Sequence, residues 1–154
     1  MNIYDLFNTK AADLSWVCIA ASSMMVGSIA VQFEVSENGI VLSVEKSGDG
    51  SGFETSEKEY SEMKIQDVID ILQNTDVPVI KGEDEDEEAS YTFEDDDSSD
   101  GCNEYNISCG NDDEIISSIA GWDFECDSLI GVINALKAVF PEMKELTDFI
   151  NGDY

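Results

Sequence analysis

Ile29-Ala30-Val31-Gln32-Phe33-Glu34-Val35, followed by Ser36-Glu37-Asn38-Gly39 and then Ile40-Val41-Leu42-Ser43-Val44, is the stretch on which the fold turns. Apolar residues occupy every second position on both sides of Asn38-Gly39: Ile29, Val31, Phe33 and Val35 before it, Ile40, Leu42 and Val44 after it. A period of two places those side chains on one face of an extended strand. Asn-Gly supplies the positive φ angles of a type I′ turn, whose twist suits two antiparallel strands. The stretch therefore reads as a β-hairpin, and the chain as one built on an antiparallel sheet.

Upstream of the hairpin, Asn2 to Asn8 reads as a short helix, and Trp16 to Ala21 as a first strand or the next helix. Periodicity does not separate those two over so short an apolar run. Leu14 to Phe33 holds twenty residues without a charge, the length of a membrane span. Ser15, Ser22, Ser23, Gly27, Ser28 and Gln32 interrupt it, Asp13 and Glu34 flank it, and Lys10 is its one basic neighbour. The basic start of a signal peptide is missing as well. The run is expected to be buried core, with no membrane contact.

Downstream, Gly48, Gly50 and Gly52 with Ser47 and Ser51 read as a loop. It lacks the Gly-Lys-Ser/Thr ending of a phosphate cradle, and Asp49 and Glu54 would repel a phosphate. Ile65, Val68, Ile69 and Leu72 recur at helical spacing within Ser61 to Gln73, which predicts an amphipathic helix packed on the hairpin. Val77-Pro78-Val79-Ile80 reads as an edge strand, because proline cannot donate to an inner ladder. Ser90 to Phe93, Asn103 to Cys109, Ile115 to Ile119 and Trp122 to Cys126 are further strand candidates. Asp127 or Ser128 is expected to cap a helix holding Leu129, Ile130, Val132, Ile133, Leu136 and Phe140. A last helix opens at Pro141 and buries Met143, Leu146, Phe149 and Ile150, with Gly152 closing it. The expected fold is α+β: a central antiparallel β-sheet, a helix after the first hairpin and two C-terminal helices. Residues 1–154 are expected to form one domain with a flexible acidic loop at about 82–101.

Charge bounds what such a domain can do. The chain has 35 Asp and Glu against 7 Lys, with no Arg and no His, for a net charge of -28 over 154 residues. The hydrophobic fraction of 42% nonetheless provides enough apolar surface to offset the ordering entropy of a fold. Without histidine there is no Ser-His or Cys-His pair and no imidazole metal ligand. Without arginine there is no guanidinium fork to clamp a phosphate. Lysines in such acidic surroundings stay protonated, and any one carboxylate pair among 35 carries no signal for acid–base catalysis. A non-enzymatic protein without a cofactor is expected. Cys18, Cys102, Cys109 and Cys126 lie far apart and read as reduced thiols, with a Cys102–Cys109 disulfide as the alternative.

Half of the acids lie in the middle third of the chain, and eleven of them fall between Glu83 and Asp100. They are Glu83, Asp84, Glu85, Asp86, Glu87, Glu88, Glu94, Asp95, Asp96, Asp97 and Asp100, with Tyr91 and Phe93 between the two runs. The closest fit to a calcium loop sets Asp96, Ser98 and Asp100 at ligand positions and Gly101 at the turn. It fails at Ile107, where a bidentate Glu belongs, and at Asn103, which replaces an apolar residue. For zinc, Cys102, Cys109 and Cys126 have irregular spacing and no histidine to complete a tetrahedron. No dedicated metal site is expected, although a cation-binding role for the acidic loop stays open. What remains is electrostatic recognition: a surface so one-sided repels nucleic acid and attracts basic proteins from beyond contact range. The expected partner-binding residues are those eleven carboxylates with Tyr91 as an aromatic anchor, each carboxylate accepting charge-assisted hydrogen bonds from Arg or Lys. A purely solubilising acidic loop is the plainer alternative.

Small size, extreme acidity, the lack of His and Arg and mixed α+β patterning together resemble the phage-encoded anti-CRISPR proteins and other DNA-mimic inhibitors. The opening Met1-Asn2-Ile3 followed by Asp5-Leu6 is similar to the start of a small acidic member of that group. The resemblance implies a protein that acts in the cytoplasm of an infected bacterial host. Its implied partner is a CRISPR effector nuclease, whose cationic channel or PAM-reading site it would occupy in place of DNA. The alternative within the same chemistry is an immunity protein that neutralises a basic nuclease toxin.

Overall fold

The computed structural model describes residues 2–8, 14–24, 27–48, 53–75, 77–81, 90–96, 103–112 and 114–151. The chain runs α1 (Ile3–Asn8), β1 (Trp16–Ser23), β2 (Gly27–Ser36), β3 (Gly39–Gly48), β4 (Phe53–Tyr60), α2 (Ile65–Leu72), β5 (Val79–Lys81) and β6 (Ser90–Phe93). It continues with β7 (Asn103–Gly110), β8 (Ile115–Gly121), α3 (Asp127–Lys137), a 3-10 turn (Pro141–Met143) and α4 (Lys144–Asn151). The eight strands form one sheet in the order β4-β3-β2-β1-β7-β8-β6-β5. Every pairing is antiparallel except β6 with β8. The α+β class, the antiparallel sheet and the two C-terminal helices are as the sequence pattern requires.

Trp16 to Ala21, open between helix and strand, is a strand because both flanks hold it. β1 pairs along its whole length with β2 on one side and β7 on the other. Leu14 to Phe33 is thus a pair of strands and their approach, and no helix among the described residues is long and apolar enough to cross a membrane. The β2–β3 hairpin forms, with Val31 opposite Val44 and Phe33 opposite Leu42. Its turn lies one residue earlier than the Asn-Gly reading placed it: Glu37 and Asn38 make the turn, and Gly39 opens β3 opposite Ser36. A side chain at Gly39, where φ is +157°, would run into the backbone of Tyr60 at the end of the neighbouring strand. Glycine is needed there for close approach.

β4 carries no apolar alternation and was not foreseen. Its sequence FETSEKEY becomes a strand by pairing with β3 from Ser47–Phe53 to Ile40–Tyr60. Its exposed charges protect an outer edge of the sheet from further pairing, and the three-residue β5 after Pro78 keeps the other edge short. Trp122 to Cys126 is turn, not strand. α2 is shorter than its periodic window, and α3 stops at Lys137, leaving Phe140 buried beyond it.

One hydrophobic cluster joins the sheet to the helices. Val17, Ile19 and Ala21 of β1, Ile29, Val31 and Phe33 of β2, and Ile40, Leu42 and Val44 of β3 all belong to it, as do Tyr105, Ile107 and Cys109 of β7. Phe140 seals the β3–β4 side, its ring 4.8 Å from that of Phe33 and 5.1 Å from that of Tyr60. The alternate residues of the same strands contribute nothing to the cluster. The helices therefore cover one face of the sheet and leave the other open.

Candidate partner-binding face

The open face is a grid set by strand register. One row runs Glu59, Val41, Glu34, Trp16 across β4, β3, β2 and β1. The next runs Glu57, Ser43, Gln32, Cys18, Ser108, Ser118. A third runs Thr55, Glu45, Ala30, Ala20, Asn106, Ala120, and a fourth Ser47, Ser28, Ser22, Glu104. Cys18, Ala20, Ser22, Ser28 and Ala30 keep much of β1 and β2 small, and Glu34 on β2, Glu45 on β3, Glu57 and Glu59 on β4 and Glu104 on β7 stand around them, all exposed.

Among the described side chains, the lysines of the sheet are on the other side. Lys46 and Lys58 alternate with the open-face residues of β3 and β4 and so point toward the C-terminal helix. There Lys46 pairs with Glu145, and Lys58 lies 3.6 Å from Glu142 and 4.9 Å from the centre of the Tyr60 ring. Lys64, Lys137 and Lys144 are at or within helices. Among the described side chains the open face carries no lysine. The backbone positions of successive outward residues on one strand, such as Glu57 and Glu59, lie roughly 7 Å apart, and those of Glu59 and Glu34 two strand spacings apart, roughly 10 Å. Separations of this order match one or two steps along a phosphodiester backbone.

The acidic tract is divided by the fold. Glu83 to Glu88, Asp97 and Asp100 lie outside the described residues. Tyr91 is half-buried near the start of β6, where it packs at the margin of the core, and Phe93 is fully buried, stacked 5.9 Å from Tyr105. Glu94 is exposed in the turn after β6. Asp95 and Asp96 engage the protein itself. Asp95 accepts hydrogen bonds from the Ser128 backbone N–H at 3.2 Å and from the Cys126 thiol at 3.1 Å. It thereby caps α3 from a distant part of the chain, in place of the expected local cap by Asp127 or Ser128. Asp96 accepts from the Tyr105 hydroxyl at 2.6 Å and from the Asp123 backbone N–H at 3.4 Å. The missing side chain of Gly121, opposite Tyr105, leaves room for this contact. Strand β6 thus separates Tyr91 from the pair Asp95 and Asp96, which sit at its other end.

The ionisation shifts follow from these contacts. Burial works to raise the Asp95 carboxyl, but hydrogen bonds from Ser128 and Cys126 outweigh it and hold the group below its ordinary value. Burial, then the hydrogen bond to Asp96, pushes Tyr105 well up. Burial and the hydrogen bond to Asp95 push the Cys126 thiol up to about 12, and burial with the field of Glu45 pushes Cys18 up to about 11. Both thiols are kept protonated, the opposite of what a nucleophile or metal ligand needs. On the helix face, burial tends to raise Glu142, but hydrogen bonds from Tyr60 at 2.7 Å and the charge of Lys58 bring it below its ordinary value. Among the described residues no three Cys, Asp or Glu side chains converge as a metal site.

The carboxylates of the open face were not singled out from sequence. Glu34 and Glu45 occupy outward positions of a hairpin whose period was already clear, so they were within reach of that pattern. Glu57 and Glu59 were not, because β4 shows no apolar alternation to assign their side. No protein-family model matches the chain, and no curated protein or solved structure matches it.

Proposed function

We propose that this protein is a non-enzymatic inhibitor that offers carboxylates in place of phosphates and occupies the nucleic-acid-binding groove of a basic protein. One observation carries the reading: among the described residues the two faces of a single sheet divide the charge, with Lys46 and Lys58 engaged by carboxylates on the helix side and carboxylates without a cation ranked on the open side. A cationic groove lined with Arg and Lys is held apart by its own repulsion until a polyanion relieves it. A rigid sheet bearing carboxylates at phosphate-like intervals can relieve it as well, and its net charge of -28 steers the encounter. The resemblance to DNA-mimic anti-CRISPR proteins makes a guide-loaded CRISPR effector nuclease the first target to try.

Binding to such an effector, with and without its target DNA, measured between low and high salt, tests the proposal. Competition with DNA and an association rate that falls steeply as salt shortens the screening length support it. Association indifferent to salt, or contact made mainly through apolar residues, overturns it. Capture of a basic nuclease toxin in place of the effector would keep the chemistry and assign the protein to immunity.

A further inference from the structure

The open face is not uniformly flat. Where β1 ends and β2 begins it sinks into a hollow of about 270 Å³, floored by Ala20, Ala30, Ser22 and Ser28 and flanked by Glu45 and Lys46 on β3 and Glu104 on β7, the Lys46 amine being paired with Glu145. β3 and β7 are three strand spacings apart, roughly 14 Å, with only small side chains on the two strands between them. The floor is low because alanine and serine stand where the core face of the same strands carries Ile19, Ile29 and Val31. The Ser28 and Ser47 hydroxyls bond each other at 2.7 Å across one wall. Asn106 adds an amide on the β7 bank.

We infer that this trough receives an arginine side chain of the basic partner, which rests on the proposed function and specifies its anchor. Charge complementarity selects a cation. Both banks carry an exposed carboxylate, and among the described residues neither has a lysine within ion-pair distance, because Lys46 is held by Glu145 on the opposite face. Size selects a single side chain, since the hollow falls below the roughly 300–1,000 Å³ typical of drug-sized ligands. Chemistry favours arginine over lysine. A guanidinium is weakly hydrated and presents five donors in a plane, which suits a floor of methyl groups and hydroxyls between opposed carboxylates and a side-chain amide. Its aliphatic stem covers the alanine methyls.

The test uses the full chain with nona-arginine and nona-lysine peptides as probes, read by NMR of alanine methyl groups and by calorimetry at low salt. The Ala20 and Ala30 methyl signals are expected to move on titration, and further with arginine than with lysine. The double variant E45Q/E104Q should weaken nona-arginine binding about tenfold, whereas E59Q, outside the trough, should change it less than about twofold. Ala30→Leu fills the hollow without altering charge and should weaken binding to a similar extent. Salt-dependent binding of both peptides with unmoved Ala20 and Ala30 signals and a neutral Ala30→Leu overturns the trough while leaving the acidic-surface reading in place. Failure of both peptides to bind wild-type protein overturns that reading and the trough with it.

Discussion

The two faces of the sheet are made from the same strands, yet neighbouring residues do opposite work. Phe33 is buried against Phe140, while Gln32 and Glu34 beside it look outward. Lys46 and Lys58 face the helices and find Glu145 and Glu142, while Glu45, Glu57 and Glu59 on the same strands find no cation among the described residues of the open face. The acidic residues of this chain are therefore of two kinds. Some, such as Asp95, Asp96 and Glu142, complete the fold, and others, such as Glu34, Glu57 and Glu59, face outward and are exposed. Net charge does not separate the two, but the direction in which a strand presents each residue does.

Core truncation sets the two faces furthest apart. Phe33→Ala is expected to cost about 3–5 kcal/mol by urea unfolding, and Gln32→Ala next to it less than about 0.5 kcal/mol. Similar losses at both positions would mean that the second face is covered in solution. Neutralising Glu34, Glu45, Glu57, Glu59 and Glu104 together to Gln should slow association with a basic partner by about ten- to a hundredfold at low salt without loss of stability. Stopped-flow measurements across a salt series give that number, and an unchanged rate places the binding surface elsewhere.

Asp95→Ala removes a tertiary helix cap and should destabilise the protein by about 1–2 kcal/mol, whereas Glu94→Gln, one residue earlier and exposed, should leave stability unaltered. Equal effects at the two positions would show that the acidic tract acts as one solvated block. The smallest effect is expected at the latch between β4 and the 3-10 turn. Glu142 titrates below its unfolded value in the folded protein, so the stability it adds is present at neutral pH and is lost as pH falls through that lower value. Tyr60 is shifted the other way, chiefly by burial and then by Glu142, so its share persists below about pH 10 and fades above it. Glu142→Gln should thus cost at most about 1 kcal/mol at pH 7, with the gap to wild type narrowing in matched urea titrations as acid protonates the carboxylate.

Much of this fold is legible in the chain because it rests on local periodicity. The β2–β3 hairpin, the α2 stripe of Ile65, Val68, Ile69 and Leu72, the edge position of β5 and the pair of C-terminal helices each follow from spacing that a short window contains. Trp16 to Ala21 lay beyond that reach, because its strand state comes from neighbours paired on both sides. So did β4, whose inward Lys58 and Tyr60 both meet Glu142 of the 3-10 turn. The acidic character was equally plain, but its sorting was not. Asp95 and Asp96 lie in a run that sequence alone reads as one solvated block.

What the amino-acid order settled by itself is thus the β2–β3 hairpin, the amphipathic helices and the sign of the surface, since periodicity and composition are properties of neighbouring residues and of sums. Tertiary structure alone decided which carboxylates close the fold and which face outward. That choice depends on strand order, on register across eight strands and on which side the helices pack, and each of these joins residues tens of positions apart.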